Sequence, residues 1–222
     1  MSTALFTAAA ALHPVADGYA VAYGSHATRP GPASDLDLLY TGTDPLTADR
    51  LHRLIDGVKQ LHADHGLTVD EEVSFASKLY ATTREIEHAA HLGGFDGVTD
   101  YVTPVGDPAA LNGQGFKLRL VLNALTTPHI FLTGDIHAYR RHVAAAERGA
   151  ALLAMRIAGT GKLTLAAAAK ALLSSVEGLT EKHFLGYRHE SHLHAVLRRG
   201  LAHLAHEDLV RIDHDTIPWR AT

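Results

Sequence analysis

Residues 18–40 read GYAVAYGSHATRPGPASDLDLLY, and this stretch decides the fold that we expect. The apolar run at 18–23 predicts a short β-strand, and the pair Gly24-Ser25 predicts a tight turn into a short helix. Acidic and apolar residues then alternate with a period of two, which predicts a second strand over 35–40. The stretch therefore predicts two strands joined by a turn and a loop rich in proline and glycine.

The second of these strands carries a pair of acids. A period of two places Asp35 and Asp37 on one face, roughly 7 Å apart along the strand at about 3.3 Å per residue, and sends Leu36 and Leu38 into a core. Two carboxylates held this way repel each other unless a cation lies between them. Mg²⁺ prefers oxygen ligands and is often bound by one or two carboxylates together with substrate phosphates. The pair predicts a magnesium site.

The turn before the loop is suited to phosphate. Backbone N–H groups and a hydroxyl at a helix N-terminus bind phosphate oxygens, so Gly24 and Ser25 predict a nucleoside triphosphate as the ligand. Each motif also has a simpler interpretation. An Asp-x-Asp strand can be an ordinary solvated edge, and a Gly-Ser pair is often a plain turn.

A third acid is predicted from residues 67–75. Apolar residues occupy one face of this predicted strand, and Asp70 and Glu72 occupy the other. If the strand lies beside 35–40, its acidic face can join the carboxylate pair. The pattern leaves open which of the two acids does so.

Composition excludes several classes of protein. Hydrophobic residues make up 46% and charged residues 20% of the 222 residues, which is typical of a folded globular chain. A net charge of −4 gives no electrostatic footprint for long nucleic acid. The absence of cysteine excludes disulfides, zinc–thiolate sites and cysteine nucleophiles. Since no apolar run approaches the ~20 residues of a membrane span, we expect no membrane partner and a cytoplasmic protein.

The chain changes character near residue 110. Strands and helices alternate before it, with helices predicted at 3–12 and 47–65. We therefore predict an α/β (α+β) domain over 1–108 and a helical domain over 109–222. The helical segments predicted after the boundary span 115–125, 135–157, 163–176 and 189–206.

The order of these motifs resembles the nucleotidyltransferase fold of the DNA polymerase β superfamily. That family has a Gly-Ser turn, an Asp-x-Asp strand and a third carboxylate on a neighbouring strand, and residues 18–75 carry this pattern. The resemblance implies a mixed sheet with flanking helices, followed by a C-terminal helical bundle. This layout is similar to that of small antibiotic nucleotidyltransferases.

The resemblance also implies roles for the acids. Asp35 and Asp37 would bind two Mg²⁺ ions, and Asp70 would bind the metal on the side of the nucleophile. Glu72 is the alternative third ligand. If Asp70 is the ligand, Glu72 could instead act as a general base toward the acceptor hydroxyl.

On the nucleotide side, the resemblance implies that Gly24 and Ser25 hold the β- and γ-phosphates. The sequence departs from the family pattern at His26, where small residues or arginine are more usual. Arg29 would then supply the basic contribution to triphosphate binding.

The implied activity is magnesium-dependent nucleotidyl transfer. The enzyme would move a nucleoside monophosphate, most simply AMP from ATP, onto a hydroxyl of a small molecule and release pyrophosphate. An antibiotic is an acceptor class suggested by analogy alone. The alternatives are a protein- or RNA-modifying enzyme of the toxin–antitoxin type and a nucleotide-binding regulator without turnover. No motif identifies the acceptor, the base or the oligomeric state.

Overall fold

The structure is a computed structural model, and it describes residues 3–13, 16–24, 27, 35–68, 79–92, 124–158, 162–174, 190–212 and 216–218. Within these ranges the chain is a mixed α+β protein built on a four-stranded sheet. Its elements in chain order are α1 (Thr3–Ala11), β1 (Tyr19–Tyr23), β2 (Asp37–Gly42), α2 (Ala48–Asp64), β3 (Tyr80–Thr82), α3 (Thr83–Leu92), β4 (His129–Gly134), α4 (Ile136–Ala158), β5 (Lys162–Thr164), α5 (Leu165–Ser174), α6 (Glu190–His206) and β6 (Thr216–Pro218).

The sheet has the strand order β3-β2-β1-β4. β1 is antiparallel to both of its neighbours, β2 and β4, whereas β2 and β3 run parallel. The parallel pair is possible because α2 carries the chain back across the sheet between β2 and β3. The predicted strands at 18–23 and 35–40 are both present, and they pair with each other. β2 begins at Asp37 and ends at Gly42, so Asp35 and Leu36 precede the strand on which they were predicted.

Successive side chains of β1 and β2 point alternately into two separate hydrophobic cores. Ala22 and Leu38 belong to a cluster with α1 and α2, whereas Val21, Tyr23 and Leu39 belong to a cluster with α3, α4, α5 and α6. β1 is buried along its whole length. The sheet thus forms the middle layer between helices on both of its faces.

Helix α2 follows the predicted pattern closely. The Thr47 hydroxyl accepts a hydrogen bond from the Arg50 amide and caps the N-terminus. Leu54, Val58 and Leu61 are buried against the sheet. Gly66 follows the helix with a φ of +64°, which suits glycine.

The second half of the chain agrees with the predicted helices at α4, α5 and α6 but also contains strands that the pattern did not predict. β4 lies between the predicted helices at 115–125 and 135–157, and it pairs with β1. β5 and β6 form a small antiparallel ribbon. The division at residue 108 stays a prediction. No helix in the described ranges is long and apolar enough to cross a membrane.

Helices α4 and α6 pack at very close range through a glycine. A Cβ atom at Gly200 would lie 2.1 Å from the Glu147 carbonyl oxygen and 2.7 Å from the Ala151 Cβ atom. No side chain fits there unless the two helices separate. Gly200 therefore sets the distance between α4 and α6.

We expect Gly200→Ala to lower the free energy of unfolding by about 1–3 kcal/mol, because overpacking outweighs the gain in helix propensity. Gly57→Ala is the matched control in α2, since a Cβ atom there would meet just a Leu12 methyl group at 3.2 Å. It should change stability by no more than about 1 kcal/mol. Chemical denaturation of both variants measures the difference, and equal stabilities would contradict the packing argument.

Candidate functional site

The predicted turn and the predicted acid pair meet at one end of the sheet. Gly24 ends β1 with a φ of +77°. A Cβ atom on Gly24 would lie 2.2 Å from Oδ2 of Asp37. Glycine is required here twice over, because the backbone is left-handed and because the Asp37 carboxylate occupies the space of a side chain.

Strand pairing extends this site across the sheet. Asp37 is the register partner of Tyr23, and Tyr23 is in turn the register partner of His129 on β4. Register partners on neighbouring strands present their side chains on the same face. An acid, a phenol and an imidazole therefore form one row at the end of the sheet that carries Gly24.

Tyr23 is the most buried member of the row. Its side chain is in the core, and within the described part of the chain its hydroxyl meets no hydrogen-bond partner. Burial raises the pKa of Tyr23 well above its usual range, and the charges of Asp37 and Asp35 raise it further. The phenol therefore stays protonated beside the two acids, both of which are half-buried.

The alternation predicted for the acidic strand is confirmed on its apolar side. Leu36 and Leu38 are each 2% exposed and lie in the cluster formed with α1 and α2. Leu39, on the other face, lies in the cluster formed with the later helices. Asp37 therefore shares the face of Leu39, and its carboxylate lies on the side of α3, α4 and α6.

The backbone between the two acids is held by a buried histidine. The Leu36 N–H donates a hydrogen bond of 3.0 Å to Nε2 of His62, and Nδ1 of His62 donates one of 2.7 Å to the Val58 carbonyl. This pair of bonds corresponds to one neutral tautomer with its proton on Nδ1. His62 is 1% exposed.

The imidazole at the far end of the row is also hydrogen-bonded on both nitrogens. Nδ1 of His129 donates to the Thr127 carbonyl at 2.6 Å, and Nε2 accepts from the Tyr139 hydroxyl at 2.8 Å. Burial lowers the pKa of His129. His129 is therefore a neutral, fixed group rather than a cation.

Helices α4 and α6 contribute an ion pair near this end of the sheet. Nε of Arg199 donates a hydrogen bond of 2.7 Å to the Glu147 carboxylate, which is 5% exposed. Besides the larger effect of burial, the charge of Glu147 acts to raise the pKa of both His129 and Tyr139. The ion pair of Arg199 and Glu147 therefore lies close to the row of Asp37, Tyr23 and His129. The Arg199 guanidinium keeps this buried carboxylate compensated.

Three of the seven predicted site residues lie in the described ranges, and the structure brings them together. These are Gly24, Asp35 and Asp37. The other four predicted site residues, Ser25, Arg29, Asp70 and Glu72, lie outside the described residues, as does most of the predicted strand at 67–75.

The described residues supply some, but not all, of the oxygen ligands that a hard divalent cation needs. Asp35 and Asp37 offer carboxylate oxygens, the ligands that Mg²⁺ prefers, and the Asp37 carboxylate lies against the backbone of Gly24. Among the described residues, no group of three or more histidine, aspartate and glutamate side chains is placed to hold a metal. A complete ligand set therefore needs oxygens from a substrate, water or other parts of the chain.

Comparison with known proteins adds no relative. No family model, no curated protein and no solved structure matches the chain. Support for the candidate site consequently comes from the geometry of its own residues.

The missed members of the site are Tyr23, His62 and His129. Tyr23 reads in sequence as the last apolar residue of a strand, and the two histidines are among 17. Residue spacing does place His62 on the same face of α2 as Leu54, Val58 and Leu61, with a core as its surroundings. That spacing is the one signal that could have identified it.

We expect Tyr23→Phe to raise the free energy of unfolding by roughly 1 kcal/mol, because it removes a buried hydroxyl that lacks a partner. Tyr40→Phe is the matched control, since the Tyr40 hydroxyl donates a 2.6 Å hydrogen bond to the Ala9 carbonyl. It should lower stability by about 1 kcal/mol. Chemical denaturation distinguishes the two signs, and a destabilised Tyr23→Phe variant would show that the hydroxyl has a stabilising role.

Acidification should destabilise the fold through His129, which is half-buried, and His142, which is buried. Burial lowers the pKa of His129 and of His142 below 6.5. Between the lowered values and 6.5 the unfolded chain binds more protons than the folded chain, so the free energy of unfolding falls as the pH falls. We expect lower stability at about pH 5 than at about pH 7.5, measured by urea denaturation.

The variant His129→Asn serves as a control for that dependence. Its amide can donate to the Thr127 carbonyl in place of Nδ1, but it does not titrate in this range. The slope of stability against pH should become shallower. An unchanged slope would rule out His129 as a contributor.

Proposed function

We propose that the protein is a magnesium-dependent nucleotidyltransferase with its active site at the Gly24 end of the sheet. The observation that carries this proposal is the contact between Gly24 and the Asp37 carboxylate. A glycine turn that ends one strand, packed on an Asp-x-Asp motif of the adjacent antiparallel strand, brings phosphate-binding backbone and metal-binding oxygens to one place. We also propose that the mixed sheet has the nucleotidyltransferase fold and that α4, α5 and α6 belong to its C-terminal bundle.

In this proposal Asp35 and Asp37 would hold two Mg²⁺ ions, and Gly24 and Ser25 would bind the β- and γ-phosphates. The metals would lower the pKa of the acceptor hydroxyl and neutralise charge on the leaving pyrophosphate. Asp70 or Glu72 is the third ligand that the described acids lack. Arg29 adds positive charge for the triphosphate.

The reaction follows from these positions. The oxygen of an acceptor hydroxyl forms a bond to the α-phosphorus, and the bond from that phosphorus to the bridging oxygen of the β-phosphate breaks. Pyrophosphate leaves, and the hydroxyl proton passes to a base, for which Glu72 is our candidate when Asp70 is the ligand. The acceptor is a small molecule with a hydroxyl group.

We expect pyrophosphate release from ATP that requires Mg²⁺ and a hydroxylated acceptor, measured with a coupled phosphate assay. Asp37→Asn should lower the rate at least ~100-fold, because even groups that merely orient metal ligands contribute 10–100-fold. Asp56→Asn removes an exposed carboxylate from α2 and should leave the rate unchanged. Equal rates for wild type and Asp37→Asn would contradict the proposal.

The third ligand has its own comparison within the same assay. If Asp70 is the ligand, Asp70→Asn should abolish Mg²⁺-dependent turnover, while Glu72→Gln should retain metal binding and lose rate. The reverse result would assign the ligand to Glu72. If both variants keep their activity and their metal binding, neither Asp70 nor Glu72 belongs to the site.

A further inference from the structure

We infer that His62 is a positioning residue that fixes the acid pair for cation binding, an inference that rests on the proposed function. Its imidazole has no free nitrogen with which to act as a metal ligand. Both of its nitrogens are hydrogen-bonded to backbone, one to the Leu36 N–H and the other to the Val58 carbonyl. The bond to Leu36 lies at the residue between Asp35 and Asp37.

The bond matters because Leu36 lies beyond the end of the strand ladder. The pairing of β1 with β2 begins at Tyr23 and Asp37, one residue after Leu36. Leu36 is buried, so its N–H cannot rely on water. The His62 imidazole gives this donor its acceptor and extends the ordered backbone past the last paired residue.

The anchor itself is rigid. His62 lies in the last turn of α2 and is buried with Leu61, while its Nδ1 is bonded to the carbonyl one turn earlier in the same helix. Its ring orientation is therefore set by α2 and not by the strand. Through this contact α2 determines where the backbone between the two acids lies.

The direction of the two carboxylates depends on that backbone. Asp35 and Asp37 flank Leu36, and a shift or rotation of its peptide plane moves one acid relative to the other. A cation shared by two carboxylates is sensitive to such a change, since groups that orient metal ligands typically contribute 10–100-fold to metal affinity. His62 thereby acts on the cation through Leu36, without contacting it.

The first test is direct observation of the bond. In protein labelled with ¹⁵N, a hydrogen bond from an amide N–H to an imidazole nitrogen gives a scalar coupling between the two nitrogens. We expect this coupling between the Leu36 amide and Nε2 of His62. Its absence in the folded wild-type protein would overturn the inference, whatever the activity of the protein.

The second test is binding of Mn²⁺ as a probe for Mg²⁺, followed by electron paramagnetic resonance in the absence of nucleotide. His62→Phe fills the same space without an acceptor and should weaken Mn²⁺ binding at least tenfold. His62→Gln places an amide oxygen near the position of Nε2 and should restore binding to within about threefold of wild type. His52→Phe, an exposed histidine of the same helix, is the matched control and should bind as wild type does.

A third variant keeps the comparison valid if His62→Phe does not fold. His62→Asn retains a donor near the position of Nδ1 but is too short to accept from Leu36, so it should bind Mn²⁺ at least tenfold more weakly than His62→Gln. Folded Phe or Asn variants that bind Mn²⁺ as tightly as wild type would overturn the inference.

Failure of the inference differs from failure of the proposed function. If wild type binds Mn²⁺, Asp37→Asn does not, and the His62 variants are unaffected, the metal site stands and His62 has no part in it. If wild type and Asp37→Asn show the same Mn²⁺ binding, the proposed metal site fails and the positioning role fails with it. Weakened binding in both Asp37→Asn and His62→Phe supports both.

Discussion

The burial of β1 on both faces is the constraint on which the rest of the structure depends. Its residues are excluded from water along the whole strand, so each alternate side chain needs a separate hydrophobic layer. Helices α1 and α2 supply one layer, and α3 to α6 supply the other. Asp37 on β2 consequently lies on the face that packs against the later helices. Leu36 and Leu38 lie on the opposite face and pack against α1 and α2.

Much of the first half could be predicted from local pattern. The two strands, the glycine at position 24 and helix α2 follow from alternation, glycine placement and 3.6-residue spacing, which are properties of neighbouring residues. The Thr47 hydroxyl caps this helix, and a cap is likewise a contact between residues close in sequence. The contact between Gly24 and Asp37 follows from the pairing of β1 with β2, which the local pattern of neither strand specifies.

The parts that could not be predicted depend on partners distant in sequence. β4 has no alternation of its own, and it becomes a strand because β1 offers an unpaired edge 110 residues earlier, counted from Tyr19 to His129. His62 accepts its hydrogen bond from an amide 26 residues away. Its spacing shows that it faces a core but does not show which donor it meets there.

The proximity of Gly24 and the Asp37 carboxylate also constrains how the sequence can change. The carboxylate fills the volume that any side chain at position 24 would need, and the left-handed backbone already disfavours such a side chain. Replacing the aspartate would relieve the first restriction but not the second, so neither position can compensate for the other in one step. The two positions therefore form a single unit of sequence constraint at this end of the sheet.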